Sequence, residues 1–178
     1  QTRYHEHSNK LTEHSVHPFT LSDLEAAAQL VHAVVPATPQ YTWPLLAQRT
    51  GAEVWVKHEN HTPIGAFKIR GGIAYMDWLK RSGRKVNGVI SATRGNHGQS
   101  IALAARRADL PATIVVPHGN SVEKNAAMEA VGAELVVHGR DFDEAKQHAA
   151  SLAGEKGLHF VPSFDLLLVK GVADRKST

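Results

Sequence analysis

The chain has no cysteine, which excludes disulfide bridges and thiolate-ligated metal sites while fitting any compartment. It has no apolar run near the roughly 18 residues of a membrane span and no signal-peptide pattern, so a soluble, cytoplasmic protein is expected. It has no surplus of one charge. Its 20 Lys+Arg against 17 Asp+Glu leave +3, too balanced to point to nucleic acid or an anionic membrane as a partner. No Gly-x-Gly-x-x-Gly follows a strand and no Gly-Lys-Ser/Thr occurs, so dinucleotide and nucleoside-triphosphate sites lack their loops. No Gly-x-Ser-x-Gly elbow surrounds Ser91, which is therefore not read as a hydrolase nucleophile. No methionine opens the chain, and a processed, trimmed or incomplete N-terminus is expected.

What is present is a hydrophobic share of 42%, enough to bury a core in one domain or two small ones. Residues 1–19 are polar, carry His5, His7, His14 and His17 without clear periodicity, and read as a flexible arm. Thr20 or Ser22 can cap a helix over Asp23 to Val34, with Leu24, Ala27, Ala28 and Val31 on one face and Pro36 and Pro39 beyond its end. After Gly51 the pattern alternates. Strands are predicted at Glu53 to Lys57, Val86 to Ser91, Ala112 to Val116, Glu134 to His138 and His159 to Val161. Helices are predicted at Ala66 to Arg81, Gly98 to Ala108, Ser121 to Val131, Phe142 to Lys156 and from about residue 167. Short apolar strands alternating with longer helices imply an α/β fold, a parallel twisted sheet with helices on both faces. Ligands of such sheets gather at the carboxyl ends of the strands.

Two segments carry chemistry. In Gly65-Ala66-Phe67-Lys68-Ile69-Arg70-Gly71, a small-residue turn leads to one lysine flanked by Phe67 and Ile69. Desolvation strips a lysine of ammonium character and leaves a usable amine, the group that holds a carbonyl cofactor. Taken alone, the commoner reading of such a lysine is a solvated surface residue. In Thr93-Arg94-Gly95-Asn96-His97-Gly98-Gln99, a glycine-bounded polar loop follows a strand and opens a helix, gathering free N–H groups where an anion can sit. His97 is read either as orienting or capping that turn or as touching substrate. His58 and His61 bracket Glu59 and Asn60, but a strand running into a turn does not set two ligands on one face, so no metal is expected. Glu123, Lys124 and Glu129 read as a solvated helix face.

In this order the two segments resemble the pyridoxal-phosphate-dependent serine/threonine dehydratase family, of tryptophan synthase β-like fold. The likeness continues through Pro117, Lys124, Gly132-Ala133-Glu134 and Val161-Pro162-Ser163-Phe164-Asp165, over roughly residues 20 to 173. The resemblance implies a two-domain enzyme of which this sequence is the N-terminal part only. Residues 20–68 would begin the larger cofactor domain, 69–165 form the smaller α/β domain, and 166–178 start the remainder. It implies pyridoxal 5'-phosphate as cofactor, held as an aldimine by Lys68, with Phe67 packed beside it and Asn96 on the ring hydroxyl. Thr93, Arg94, Gly95, Asn96 and His97 would surround an amino-acid carboxylate. Lys68 would remove the α-proton, a β-hydroxyl would leave, and a 2-keto acid and ammonia would result.

Departures refine this. Ile64 stands where the family often has a hydroxyl residue. Arg94 stands where related racemases have serine and simple dehydratases a small residue. Arginine stays protonated and is a poor proton shuttle, yet it grips carboxylates in two-point fashion. That favours elimination over racemisation and leaves room for a substrate with a second carboxylate; Arg94 turned outward to solvent or to Asp109 is the alternative. The family's glycine-rich phosphate loop is expected beyond this sequence, since nothing after residue 165 supplies it. A β-replacement synthase or racemase of the same fold, a non-catalytic binding module, and assembly into a homo-oligomer stay open.

Overall fold

The computed structural model describes residues 18–173, so most of the predicted arm and residues 174–178 lie outside the described residues. Helix α1 spans Leu21–His32, and its start follows from a capping box. The Thr20 hydroxyl accepts from Asp23 N–H at 3.1 Å while the Asp23 carboxylate accepts from Thr20 N–H at 3.1 Å. Ala27 and Val31 are buried from this helix; Leu24 and Ala28 are half-buried.

The next stretch corrects the sequence reading. Strand β1 (Gln40–Thr42), helix α2 (Pro44–Thr50) and strand β2 (Trp55–Lys57) follow, and a single 3-10 turn occupies Glu59–His61. The strand predicted from Glu53 is shorter, and it does not join the parallel sheet. It pairs antiparallel with β1, Tyr41 opposite Val56. Helix α3 (Lys68–Arg81) starts two residues later than predicted, because both Ala66 backbone groups are taken by Thr62 Oγ1, at 2.8 and 2.9 Å. The turn between them needs Gly65, whose φ of +64° is left-handed.

The main sheet holds β3 (Val89–Ala92), β4 (Ala112–Val116), β5 (Ala133–Val137) and β6 (His159–Phe160), ordered β5-β4-β3-β6 and parallel throughout. β3 starts at Val89 rather than Val86. Asn87 is diverted to the Lys156 carbonyl at 2.9 Å, and Gly88 turns at φ +155°. Helices α4 (Asn96–Arg107), α5 (Val122–Ala130), α6 (Phe142–Lys156) and α7 (Leu166–Ala173) complete the chain.

Period-two alternation divides the core between two faces. Val89, Ala112, Ile114 and Val116 meet Leu79 of α3, Ile101 of α4 and Met128 of α5. Ile90, Ala92 and Val115 meet Ala145 and Ala149 of α6. Helices therefore cover both faces of a parallel sheet. On the first side α7 lies against α3 at backbone contact: a methyl group on Gly71 would meet the Leu168 carbonyl oxygen at 2.6 Å. Among the described residues no helix is long and apolar enough to cross a membrane.

Candidate active site

The two sequence motifs meet in space. Lys68 opens α3 and Asn96 opens α4, and the two helices pack side by side. Ser100 Oγ on α4 donates to the Lys68 carbonyl at 2.6 Å, tying the lysine's backbone to the second motif's helix. Lys68 is half-buried, and its Nζ stands 5.9 Å from the centroid of the Phe67 ring. Phe67, Lys68 and His97 share the wall of a cavity of about 130 Å³ with Ser163, Asp165 and Leu168.

Two residues along α3 from Lys68, a partly buried charge pair ties the helix to the preceding 3-10 turn. Arg70, fully buried, donates through Nε and Nη2 to the two Glu59 carboxylate oxygens at 2.8 and 3.1 Å. Thr38 Oγ1 donates to the same carboxylate at 2.7 Å. Burial pushes the Glu59 carboxyl up, but the hydrogen bonds from Arg70 and then Thr38 outweigh it and hold the group below its ordinary value.

The loop rises from the carboxyl end of β3. Thr93 N–H donates to the Val115 carbonyl at 3.0 Å, and Thr93 Oγ1 accepts from Gly95 N–H at 3.0 Å. Gly98 and Gln99 N–H both return to the Gly95 carbonyl, at 2.9 and 3.4 Å. The Asn96 and His97 N–H groups have no acceptor among the described residues, which leaves the positive end of α4 free for an anion. Gly98 is required by space, since a methyl group there would run into Met128 Sδ and Thr93 Cγ2.

His97 is buried, and its Nε2 lies 3.1 Å from Ser91 Oγ. Desolvation and then the nearby Lys68 charge pull its pKa down to about 4. Of the predicted site residues, Phe67, Lys68 and His97 share the cavity. Thr93 and Gly95 are buried in the loop, Arg94 and Asn96 are exposed on it, and none of these four lines the cavity.

Several partners escaped the sequence reading. Lys124, read as part of a solvated face, is indeed exposed, yet its chain crosses Gly95: a methyl group on Gly95 would lie 3.1 Å from Lys124 Cδ. Glu59 and Ser100 carried no local signal, because their partners lie 11 and 32 residues away. Asp165 lines the cavity and also caps α7, accepting from Leu167 N–H at 2.7 Å.

Comparisons with known proteins point the same way. The family described as "pyridoxal-phosphate dependent enzyme" matches residues 32–174. The chain is 39% identical over 153 residues to the L-threonine dehydratase biosynthetic IlvA of Pasteurella multocida, covering 85% of this chain and 30% of that protein. It is 37% identical over 143 residues to an L-threo-3-hydroxyaspartate ammonia-lyase of a Pseudomonas species, covering 80% and 44%. The crystal structure of a pyridoxal 5'-phosphate-dependent aspartate racemase superposes with TM-score 0.82 at 28% identity, covering 88% of this chain and 50% of that one. The processed form of threonine deaminase isoform 2 from Solanum lycopersicum does so with TM-score 0.72 at 30% identity, covering 88% and 47%. The chain thus spans half or less of the length of these relatives.

Proposed function

Because the chain belongs to the pyridoxal-phosphate-dependent enzyme family, we propose that it is the lysine-bearing part of an ammonia-lyase that dehydrates and deaminates a β-hydroxy-α-amino acid. The observation that carries this reading is the convergence of Lys68 and the Thr93–Gly98 loop, joined by Ser100 Oγ on the Lys68 carbonyl at 2.6 Å. Elimination needs an amine for the α-carbon and an anion site for the carboxylate, side by side.

The residues present fit the carbonyl end of the cofactor. Lys68 opens into a cavity walled by the Phe67 ring and the apolar flank of α7, and the adjoining imidazole is neutral. When bound, pyridoxal phosphate supplies an electron sink for negative charge developing at the α-carbon. Lys68 Nζ would hold the cofactor by its carbonyl carbon, and as an amine would be the group placed to take the α-proton. Phe67 excludes water on one side. Asn96, exposed at the head of α4 outside the cavity wall, would offer its amide to the ring hydroxyl. The unpaired N–H groups at the head of α4 take the carboxylate, whose charge the helix dipole favours. Thr93 shapes this loop through its bond to Gly95.

Arg94 supports elimination over racemisation, since a guanidinium does not shuttle protons. Its exposure beside the carboxylate loop also suits a substrate with a second carboxylate. Two similarities, to the hydroxyaspartate ammonia-lyase and to the aspartate racemase structure, lean in that direction. The test is product analysis with the cofactor-loaded protein, in the longest natural form that contains this sequence. Keto acid and ammonia are expected from threonine, serine or threo-3-hydroxyaspartate, with no D-enantiomer. Inversion without keto acid, or exchange of the β-substituent, would replace this reading by a racemase or a synthase. If Arg94 meets a second carboxylate, Arg94→Ala shifts the preference for hydroxyaspartate over threonine by about ten- to a hundred-fold. An equal effect on both substrates would make Arg94 a holder of the loop.

A further inference from the structure

The hydrogen bonds around His97 have a direction. Ser91 is fully buried on β3, and its hydroxyl donates to the Val161 carbonyl at 2.7 Å. A carbonyl oxygen only accepts, so the single hydroxyl proton is committed there. His97 Nε2 lies 3.1 Å from the same Ser91 oxygen. With no second proton on the serine, Nε2 must carry the hydrogen and donate it. A neutral imidazole protonated at Nε2 has a bare lone pair at Nδ1. That nitrogen can accept a hydrogen bond and cannot give one.

We infer that His97 is a positioning residue for the Lys68 amine: Ser91 and the Val161 carbonyl lock its ring as the Nε2–H tautomer, and Nδ1 faces the shared cavity as an acceptor. The inference rests on Lys68 being the cofactor lysine. A neutral amine has two hydrogens and one lone pair. Accepting one N–H turns that lone pair to a set direction, as attack on a carbonyl carbon requires. The pair also explains why a histidine beside a lysine is useful here: an imidazole that stays neutral does not repel the ammonium form of its neighbour, and it accepts from either form.

The same polarity keeps the His97 ring out of the carboxylate site, for a bare Nδ1 repels a carboxylate oxygen. The carboxylate falls to the backbone N–H groups at the head of α4, and His97 contributes there by its own N–H, not by its ring. Ser91 has no access to solvent, and its contact toward the cavity is through His97.

Two measurements test this. Nitrogen-15 ring spectra of the chain without cofactor should show His97 with Nε2 protonated and Nδ1 bare at neutral pH. A proton on Nδ1 overturns the inference. The second measurement is the rate at which pyridoxal phosphate becomes fixed on Lys68, trapped by borohydride. Loss of one hydrogen bond predicts about a tenfold slower fixation in His97→Phe. Ser91→Ala keeps the ring but frees its tautomer, and should also slow fixation while Ser91→Thr restores the wild-type rate. If His97→Phe fails to fold, the Ser91→Ala and Ser91→Thr pair decides alone. Unaltered rates in folded His97→Phe or Ser91→Ala protein overturn the inference. Label on another lysine sinks the Lys68 reading instead, so the two failures are distinguishable.

Discussion

The stretch from Gln40 to Thr62 and the stretch from Val89 to Phe160 solve the same problem with opposite success. In the second, β3 and β4 are buried along their whole length and helices close both faces. In the first, β1 is exposed throughout and α2 buries nothing. Tyr41, Trp43, Leu45 and Trp55 face outward. One region builds a core together with α3 and α7. The other is held by the β1–β2 ladder, by ring contacts of Tyr41 and Trp43 with His58, and by polar ties: His58 N–H on the Pro39 carbonyl at 2.9 Å, and the Thr38–Glu59–Arg70 chain that reaches into α3. Lys68 stands at the joint. Its carbonyl is tied to α4 by Ser100, and two residues on, Arg70 ties α3 to Glu59; each tie can be removed separately.

The largest effect should come from the joint. Arg70→Ala leaves the Glu59 carboxylate without its main partner, and breaking a buried pair in this way costs about 3–5 kcal/mol. Urea unfolding measures it; a loss below about 1 kcal/mol would mean that the first region needs no tie. Next comes a direct contrast between the two regions. Ile101, fully buried against β3 and β4, should lose about 2–5 kcal/mol on truncation to alanine. Leu45, 80% exposed, should change by no more than about 0.5 kcal/mol. Equal losses would abolish the distinction.

A smaller effect depends on pH. The folded-state pKa of His97, about 4, lies below its ordinary 6.5, so the unfolded chain binds the proton first. Stability is complete above pH 6.5 and is lost progressively as the pH falls toward 4, by on the order of 3 kcal/mol in all. His159, which burial also lowers, adds in the same direction. Glu59 acts further down: held below its usual value, it supports the fold above that value and loses the contribution as it protonates. His97→Gln should therefore flatten the wild-type decline between pH 7 and 5. A parallel decline in both proteins would assign it elsewhere.

Legibility follows the same division. β4 and α6 begin and end at the predicted residues: burial on both faces makes β4 a short apolar run, and Ala145 and Ala149, four residues apart, mark the buried face of α6. α2 leaves no such period, because nothing in it is buried. Its punctuation is nonetheless present: Pro44 in the first turn and Gly51 just past the end, at φ +70°. At the site, both motifs and their order are legible, since turn glycines and helix openings are local. The ties between them are not. Ser100 on Lys68, Glu59 on Arg70 and Ser91 on His97 are set by the crossing of α3, α4 and β3, and no spacing encodes that crossing.

The most direct test of the account is the site of cofactor attachment. After reduction of the pyridoxal-phosphate complex with borohydride, peptide mapping should place the pyridoxyl group on Lys68, and Lys68→Ala should remove both the label and turnover. Label on Lys124, whose chain crosses Gly95, or on Lys57 would contradict the account.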